Sequence, residues 1–93
     1  MTIERLLNSI GKAIFIKYYY MFRDECRSYC ISNFEENFTE KAKSSRTGHA
    51  QMIFRDGLEK EALIIIANSN KVDPHSSAIA KEILTKEFKH NLL

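Results

Sequence analysis

Residues 56–67, with the sequence D-G-L-E-K-E-A-L-I-I-I-A, decide the fold class of this chain. Asp56 can cap a helix through its carboxylate, and Glu59 follows at capping-box spacing. Apolar residues then recur at helical intervals and cover most of the helix surface, which is typical of a helix buried on most sides. A short strand is the alternative, since residues 64–66 are all β-branched. The cap and the strong helix formers at 58–63 favour the helix.

Composition supports a helical reading of the whole chain. The 93 residues include only three glycines and one proline, while 44% are hydrophobic and 28% charged. So few chain breakers argue for helices rather than a turn-rich β sandwich, and the length suits one modest core. We therefore predict an all-α fold, with residues 1–93 forming a single helical domain of four or five helices.

Several positions predict where the surrounding helices begin and end. Thr2 can cap the first helix, and Gly11 can bend or end it. Either Asn37 or Thr39 can cap a helix that runs over residues 38–54. The last helix has the clearest start, with Asp73 at the cap and a proline after it, where a missing amide hydrogen costs nothing.

Residues 13–22, A-I-F-I-K-Y-Y-Y-M-F, are apolar or aromatic almost all round. Their β propensity is high, but no turn separates them from a partner strand, so a helix is the prediction here too. Three adjacent tyrosines cannot all face one core from one helix. Tyrosine suits interfaces, so a homodimer contact and a simple cover for a small core are equally compatible with the pattern. The candidate interface residues are Phe15, Tyr18, Tyr19 and Tyr20.

The positive charge of the chain is concentrated in residues 39–55. This segment has four basic side chains, Lys41, Lys43, Arg46 and Arg55, against one acid, Glu40, which makes +3. Residues 1–38 sum to zero and residues 56–93 to −1. A helix over 38–54 should turn one face inward, and that face is predicted to hold Phe38, Ala42, Ser45, His49, Met52 and Ile53. The opposite face is predicted to hold Glu40, Lys43, Arg46, Thr47, Ala50 and Gln51.

A mixed face of this kind predicts double-stranded DNA as a partner, because cations can neutralise phosphates while Arg46 and Gln51 can reach base edges. Residues 24–33 and the basic helix would then form a helix-turn-helix, in a dimer that binds two half-sites. A basic helix that is merely solvated, or that binds protein, is the competing interpretation. The usual glycine turn is missing between 33 and 39, where two glutamates lie instead. The candidate DNA-binding residues are Lys41, Lys43, Arg46, Thr47, Gln51 and Arg55.

No pattern of residues predicts catalysis, a cofactor or a metal. Cys26 and Cys30 share a helical face and could join His49 around zinc, but this spacing lacks a second ligand pair. Buried structural thiols explain them better. No glycine-rich phosphate loop occurs, and no nucleophile stands beside an evident base. We therefore expect no enzyme activity, no cofactor and no metal site.

Two expectations about location and function follow. Two cysteines do not make a disulfide framework, no secretory signal is evident, and Lys17 interrupts the longest apolar run far short of the roughly 20 residues that span a bilayer. We expect a cytoplasmic protein without membrane contact. Its function is predicted to be DNA binding and regulation through residues 39–55. The alternative is a non-catalytic protein-interaction module, an adaptor or inhibitor, that contacts its partner through residues 13–22.

Overall fold

Helices make up all the regular secondary structure of residues 2–89, the part of the chain that the computed structural model describes. The prediction of an all-α fold is confirmed. In chain order the helices are α1 (Ile3–Ile10), α2 (Lys12–Lys17), α3 (Tyr19–Asp24), α4 (Arg27–Ser32), α5 (Glu40–Arg55), α6 (Glu59–Ala67) and α7 (Pro74–Phe88). Residues 2–89 form seven helices instead of the four or five expected, because the first third of the chain is divided into four short helices.

The divisions in that first third are of different kinds. Gly11 ends α1 with a φ of 90°, a conformation that costs glycine little. At Tyr18 the backbone only bends, since its amide still donates to the Ile14 carbonyl at 3.1 Å and its carbonyl accepts from Phe22 at 2.9 Å. Residues 13–22 are therefore helical, as predicted, but bent into α2 and α3.

Three of the predicted helix caps are confirmed. The Thr2 hydroxyl accepts from the Arg5 amide, and the Thr39 hydroxyl accepts from the Ala42 amide at 3.1 Å. At the start of α7, the Asp73 carboxylate accepts from the amide and hydroxyl of Ser76 at 2.9 and 2.8 Å. Each side chain satisfies an amide that the helix itself leaves free.

The predicted N-cap of the central helix is wrong. Asp56 is the C-cap residue of α5, and α6 begins only at Glu59, with no side-chain cap. Gly57 follows with a φ of 71°, and its amide donates to the Phe54 carbonyl while the Leu58 amide donates to Ile53. This pair of bonds is a Schellman motif. The Asp-Gly pair thus ends α5 instead of starting α6.

The middle of the core is formed by α6, as predicted from its sequence. Ala62, Leu63, Ile66 and Ala67 are buried, and α6 packs against α1, α5 and α7. The strand alternative for residues 64–66 is excluded because these residues are helical. Burial on three sides is the arrangement that a helix apolar over most of its surface requires.

An aromatic cluster joins the first third of the chain to α5. The Phe15 ring meets Tyr19 edge-on with centroids 5.7 Å apart, and Tyr19 meets Phe54 at 5.0 Å. Phe15 and Tyr19 are almost fully buried, and Tyr18 is 9% exposed. These three candidate interface residues belong to the monomer core, which corrects the expectation that they face a partner. Tyr20, 37% exposed, is the one that reaches the surface.

None of the helices in residues 2–89 combines the length and the hydropathy of a membrane span.

Candidate functional site

Arg46, a candidate DNA-binding residue, is attached to the first helix. Its guanidinium donates to the carbonyl oxygen of Ile10, the last residue of α1, and lies over the Phe38 ring with the centroid 4.0 Å away. A guanidinium held over an aromatic face and bonded to a carbonyl closes a helix end that would otherwise leave its acceptor free. Arg46 therefore joins α1 to α5 and is not free to reach a base.

Gln51, the other candidate base reader, has a comparable structural role. Its amide nitrogen donates to the carbonyl oxygens of Glu25 at 2.8 Å and Phe22 at 3.3 Å. These carbonyls lie at the end of α3, where the helix leaves its own acceptors unpaired. The Gln51 side chain therefore stabilises the turn between α3 and α4.

The remaining α5 candidates do not form one open cationic surface. Thr47 is fully buried, and its hydroxyl has no hydrogen-bond partner in the described part of the chain. Lys43 is partly buried and pairs with Glu40 at 3.5 Å, while Arg55 is exposed and pairs with Asp56 at 3.3 Å.

The inward face of α5 differs from the prediction. Thr47, Ala50 and Ile53 are its buried residues, whereas Ser45, expected inside, is exposed. The helix packs against α1, α3, α4 and α6, so burial on several sides replaces a single apolar stripe. The small side chains of Thr47 and Ala50 are buried where neighbouring helices pack closely against α5. The Gln51 amide lies inward because carbonyl oxygens of a neighbouring helix end accept its hydrogen bonds.

The cysteines and His49 do not come together. Cys26 is exposed and Cys30 is buried, both as free thiols, while His49 shares a 2.7 Å hydrogen bond with the Ser9 hydroxyl. Within residues 2–89, no group of three histidine, cysteine or acidic side chains has the arrangement of a metal site.

A groove of about 620 Å³ lies between α2 and α7. Ile16 and Ile83 are buried at its floor, while Ile14 and Ile79 are only partly covered. We name this surface the α2/α7 groove. Its remaining lining residues are Ala13, Lys17, Tyr20, Glu36, His75, Ser76, Glu82 and Lys86.

One edge of the α2/α7 groove is held by a compact polar network. The Lys17 ammonium pairs with Glu36 at 2.7 Å and with Glu35 at 3.1 Å. The Tyr18 hydroxyl donates to Glu36 at 2.7 Å and accepts from the Glu35 amide at 2.9 Å. Burial alone would raise the pKa of Glu36, but the hydrogen bonds from Lys17 and Tyr18 outweigh it and hold this pKa below its usual value. The same ion pairs raise the pKa of Lys17.

The α7 side of the α2/α7 groove carries two exposed charged side chains, Glu82 and Lys86. The Tyr20 hydroxyl donates to Glu87 at 3.2 Å, and Glu87 also pairs with Arg23 at 2.9 Å. Lys86 lies with its ammonium 5.9 Å from the Tyr20 ring centre. Both Glu82 and Lys86 are exposed, and neither takes part in an ion pair within residues 2–89.

A smaller depression of about 330 Å³ adjoins this groove and shares the side chains of Ala13 and Ile14 with it. Lys12 and Lys71 line its far side, together with Val72. The half-covered apolar surface of α2 therefore extends beyond the α2/α7 groove.

The sequence indicated only one wall of this groove. Residues 13–22 drew attention because they hold more apolar side chains than one core face can take, and Ala13, Ile14, Lys17 and Tyr20 are indeed the part left outside. The α7 wall was missed. The sequence did contain a signal for it. Ile79 and Ile83 are four residues apart, and so are Ala80 and Leu84, one position further along. Two adjacent apolar rows make the apolar face of α7 wider than a single stripe.

Comparison of the chain with protein-family models, curated proteins and solved structures found no match.

Proposed function

We propose that this chain is a non-catalytic protein-interaction module that binds an amphipathic helix of a partner protein in the α2/α7 groove. The observation that carries the proposal is the half-covered pair Ile14 and Ile79 above an isoleucine floor, at a groove bounded on both sides by polar side chains. Partly exposed apolar side chains in a concave surface with a polar rim are typical of binding sites.

The form of the groove supports a helix as the bound element. Its walls are two helices, and an amphipathic helix that lies between them can insert apolar residues spaced by three and four positions toward Ile14 and Ile79. Its polar face then meets the rim charges and water. The Lys17–Glu36 network supports the proposal further, because a rim held by ion pairs needs little ordering on binding.

Binding to DNA through α5 stays a prediction from the sequence, and the groove is favoured over it for a structural reason. Arg46 and Gln51 are bonded to other helices, and Thr47 is buried. A recognition helix needs side chains that are free to follow base edges and phosphates. Of the six candidates, Lys41 and Arg55 are the exposed ones.

The test is a selection of helix-biased peptides from a displayed random library, with the wild-type protein as target. Ile79→Asp disrupts the groove, and Ala78→Asp is the matched control because Ala78 is exposed on the same helix but does not line the groove. Circular dichroism checks that both variants fold, and Ile79→Ala serves as a milder second groove variant.

We expect selected peptides to carry apolar residues at helical spacing and to bind the wild type and Ala78→Asp equally. Their affinity for Ile79→Asp should fall by about tenfold or more, since a charge would be buried against an apolar face. A selection run at a protein concentration where the chain is monomeric that yields no binders would overturn the proposal, and so would binders that ignore both Ile79 variants.

A further inference from the structure

Glu82 and Lys86 stand four residues apart on the groove side of α7, an order that usually lets the two side chains pair along one helix. They do not pair with each other, and both side chains are exposed. Lys86 instead lies toward the Tyr20 ring, with its ammonium 5.9 Å from the ring centre. The α7 side of the groove thus presents one acid and one base on a single helix face, and neither is in an ion pair with another of residues 2–89.

Two opposite charges on one helix are complementary to the same two charges on an antiparallel copy of that helix. A two-fold axis midway between positions 82 and 86 places Glu82 of one copy beside Lys86 of the other. Because the contact is symmetric, Lys86 of the first copy then lies beside Glu82 of the second. We infer that the partner in the α2/α7 groove is a second copy of this chain, with α7 packed antiparallel against α7 of the other copy. This inference rests on the proposed function and names its partner.

The charge balance of the groove supports a second copy over a strongly charged partner. Lys17 and Lys86 are offset by Glu36 and Glu82 among the lining residues, for a net charge of zero, with His75 and Tyr20 as the other titratable lining groups. A strongly acidic or basic helix would gain nothing from such a rim. In the antiparallel register a second copy places a base beside Glu82 and an acid beside Lys86, so both of these exposed charges are matched.

The apolar part of the face is also suited to pairing with itself. Ile14 and Ile79 are partly exposed, Tyr20 is 37% exposed and Ala13 is exposed beside them. In a two-fold contact both copies use the same surface, so each apolar side chain that is buried on one copy is also buried on the other. The small side chain of Ala13 allows two backbones to approach closely.

Charge reversal on α7 tests the pairing directly. Glu82→Lys places two lysines on the face, and Lys86→Glu places two glutamates there, so each variant should repel its own copy. We expect each to weaken self-association by about tenfold or more relative to the wild type. An equimolar mixture should form a heterodimer, because each lysine of one chain then faces a glutamate of the other. The double variant E82K/K86E should again form a homodimer.

Sedimentation equilibrium measures the masses, and Lys81→Glu is the matched control. Lys81 is exposed on α7 but does not line the groove, so its reversal should leave the dimer intact. A wild type that stays monomeric at its highest soluble concentration overturns the inference. If helical peptides nevertheless bind at Ile79, the proposed function stands without it. A dimer that ignores both charge reversals also overturns the inference, since its contact then lies elsewhere.

Discussion

The side-chain amide of Gln51 donates to the carbonyl oxygen of Glu25 at 2.8 Å, which connects α5 to the end of α3 across 26 residues of sequence. The Gln51 amide could hydrogen-bond to a DNA base, but in this fold it donates to carbonyl oxygens at the end of another helix. Arg46 repeats the pattern at the end of α1. The last carbonyl groups of a helix have no hydrogen-bond donor within that helix. A neighbouring helix that packs against this end can supply the donor from a polar side chain.

Replacement of Gln51 by Ala should lower the free energy of unfolding by about 1–2 kcal/mol, because two carbonyl oxygens at the end of α3 lose their donor. Urea unfolding measures the change. Lys41→Ala is the control, since Lys41 is exposed on the same helix, and its effect should stay within about 0.5 kcal/mol. Equal losses in the two variants would contradict the structural role of Gln51.

Replacement of Thr47 by Val should raise the free energy of unfolding by about 1 kcal/mol, because a buried hydroxyl without a partner costs more than the methyl group that replaces it. Thr85→Val is the matched control. The Thr85 hydroxyl donates to the Lys81 carbonyl at 3.0 Å on an exposed helix face, so no gain is expected there. Thermal and urea unfolding give the comparison. A loss of stability in Thr47→Val would mean that the hydroxyl has a partner.

Acid should destabilise the wild type more steeply than Glu36→Gln. The folded protein holds the pKa of Glu36 below its ordinary value of 4.5, where burial is outweighed by the hydrogen bonds from Lys17 and Tyr18. A carboxyl with a lowered pKa stabilises the fold above its ordinary pKa, and that contribution is lost as the pH falls through the folded value. The difference between the two proteins should therefore shrink as the pH falls below about 4.5.

Urea unfolding at a series of pH values from neutral to acidic measures this dependence. Glu40→Gln is the control because Glu40 is a well-exposed carboxyl, 3.5 Å from the Lys43 ammonium and away from the groove. We expect the Glu40 variant to follow the wild-type slope. A Glu36 variant that keeps the full acid sensitivity of the wild type would rule out this carboxyl as its source.

Binding to DNA, if it occurs through α5, should depend on Lys41 and Arg55. Replacement of both by Ala should weaken binding to a duplex of random sequence and reduce the slope of log affinity against log salt by about 2, one condensed cation for each lost phosphate contact. Fluorescence anisotropy at several salt concentrations gives both values. The control pair is Lys60→Ala with Lys81→Ala, which removes two exposed lysines from α6 and α7. Equal losses in the two pairs, or no binding at low salt, would dismiss the α5 reading.

The sequence by itself determined the helical class and the starts of α1, α5 and α7, because these depend on local chemistry. Caps at Thr2, Thr39 and Asp73 need only a side chain and the next turn of backbone. The apolar surplus of α6 predicted its central place for the same reason, since a helix whose surface is mostly apolar must be largely covered. Even the misplaced boundary at Asp56 was local, because the Asp-Gly pair carries a C-terminal signal as well as a capping one.

The tertiary structure alone decided which faces stay outside. Whether Tyr18 and Tyr19 are buried depends on how α2 and α3 bend toward α5, and whether Gln51 is free depends on which helix ends beside it. The groove depends on two walls that lie more than 50 residues apart, with Ile14 on one and Ile79 on the other. Helical spacing tells which residues share a face, but the exposure of that face is fixed by long-range packing against the rest of the chain.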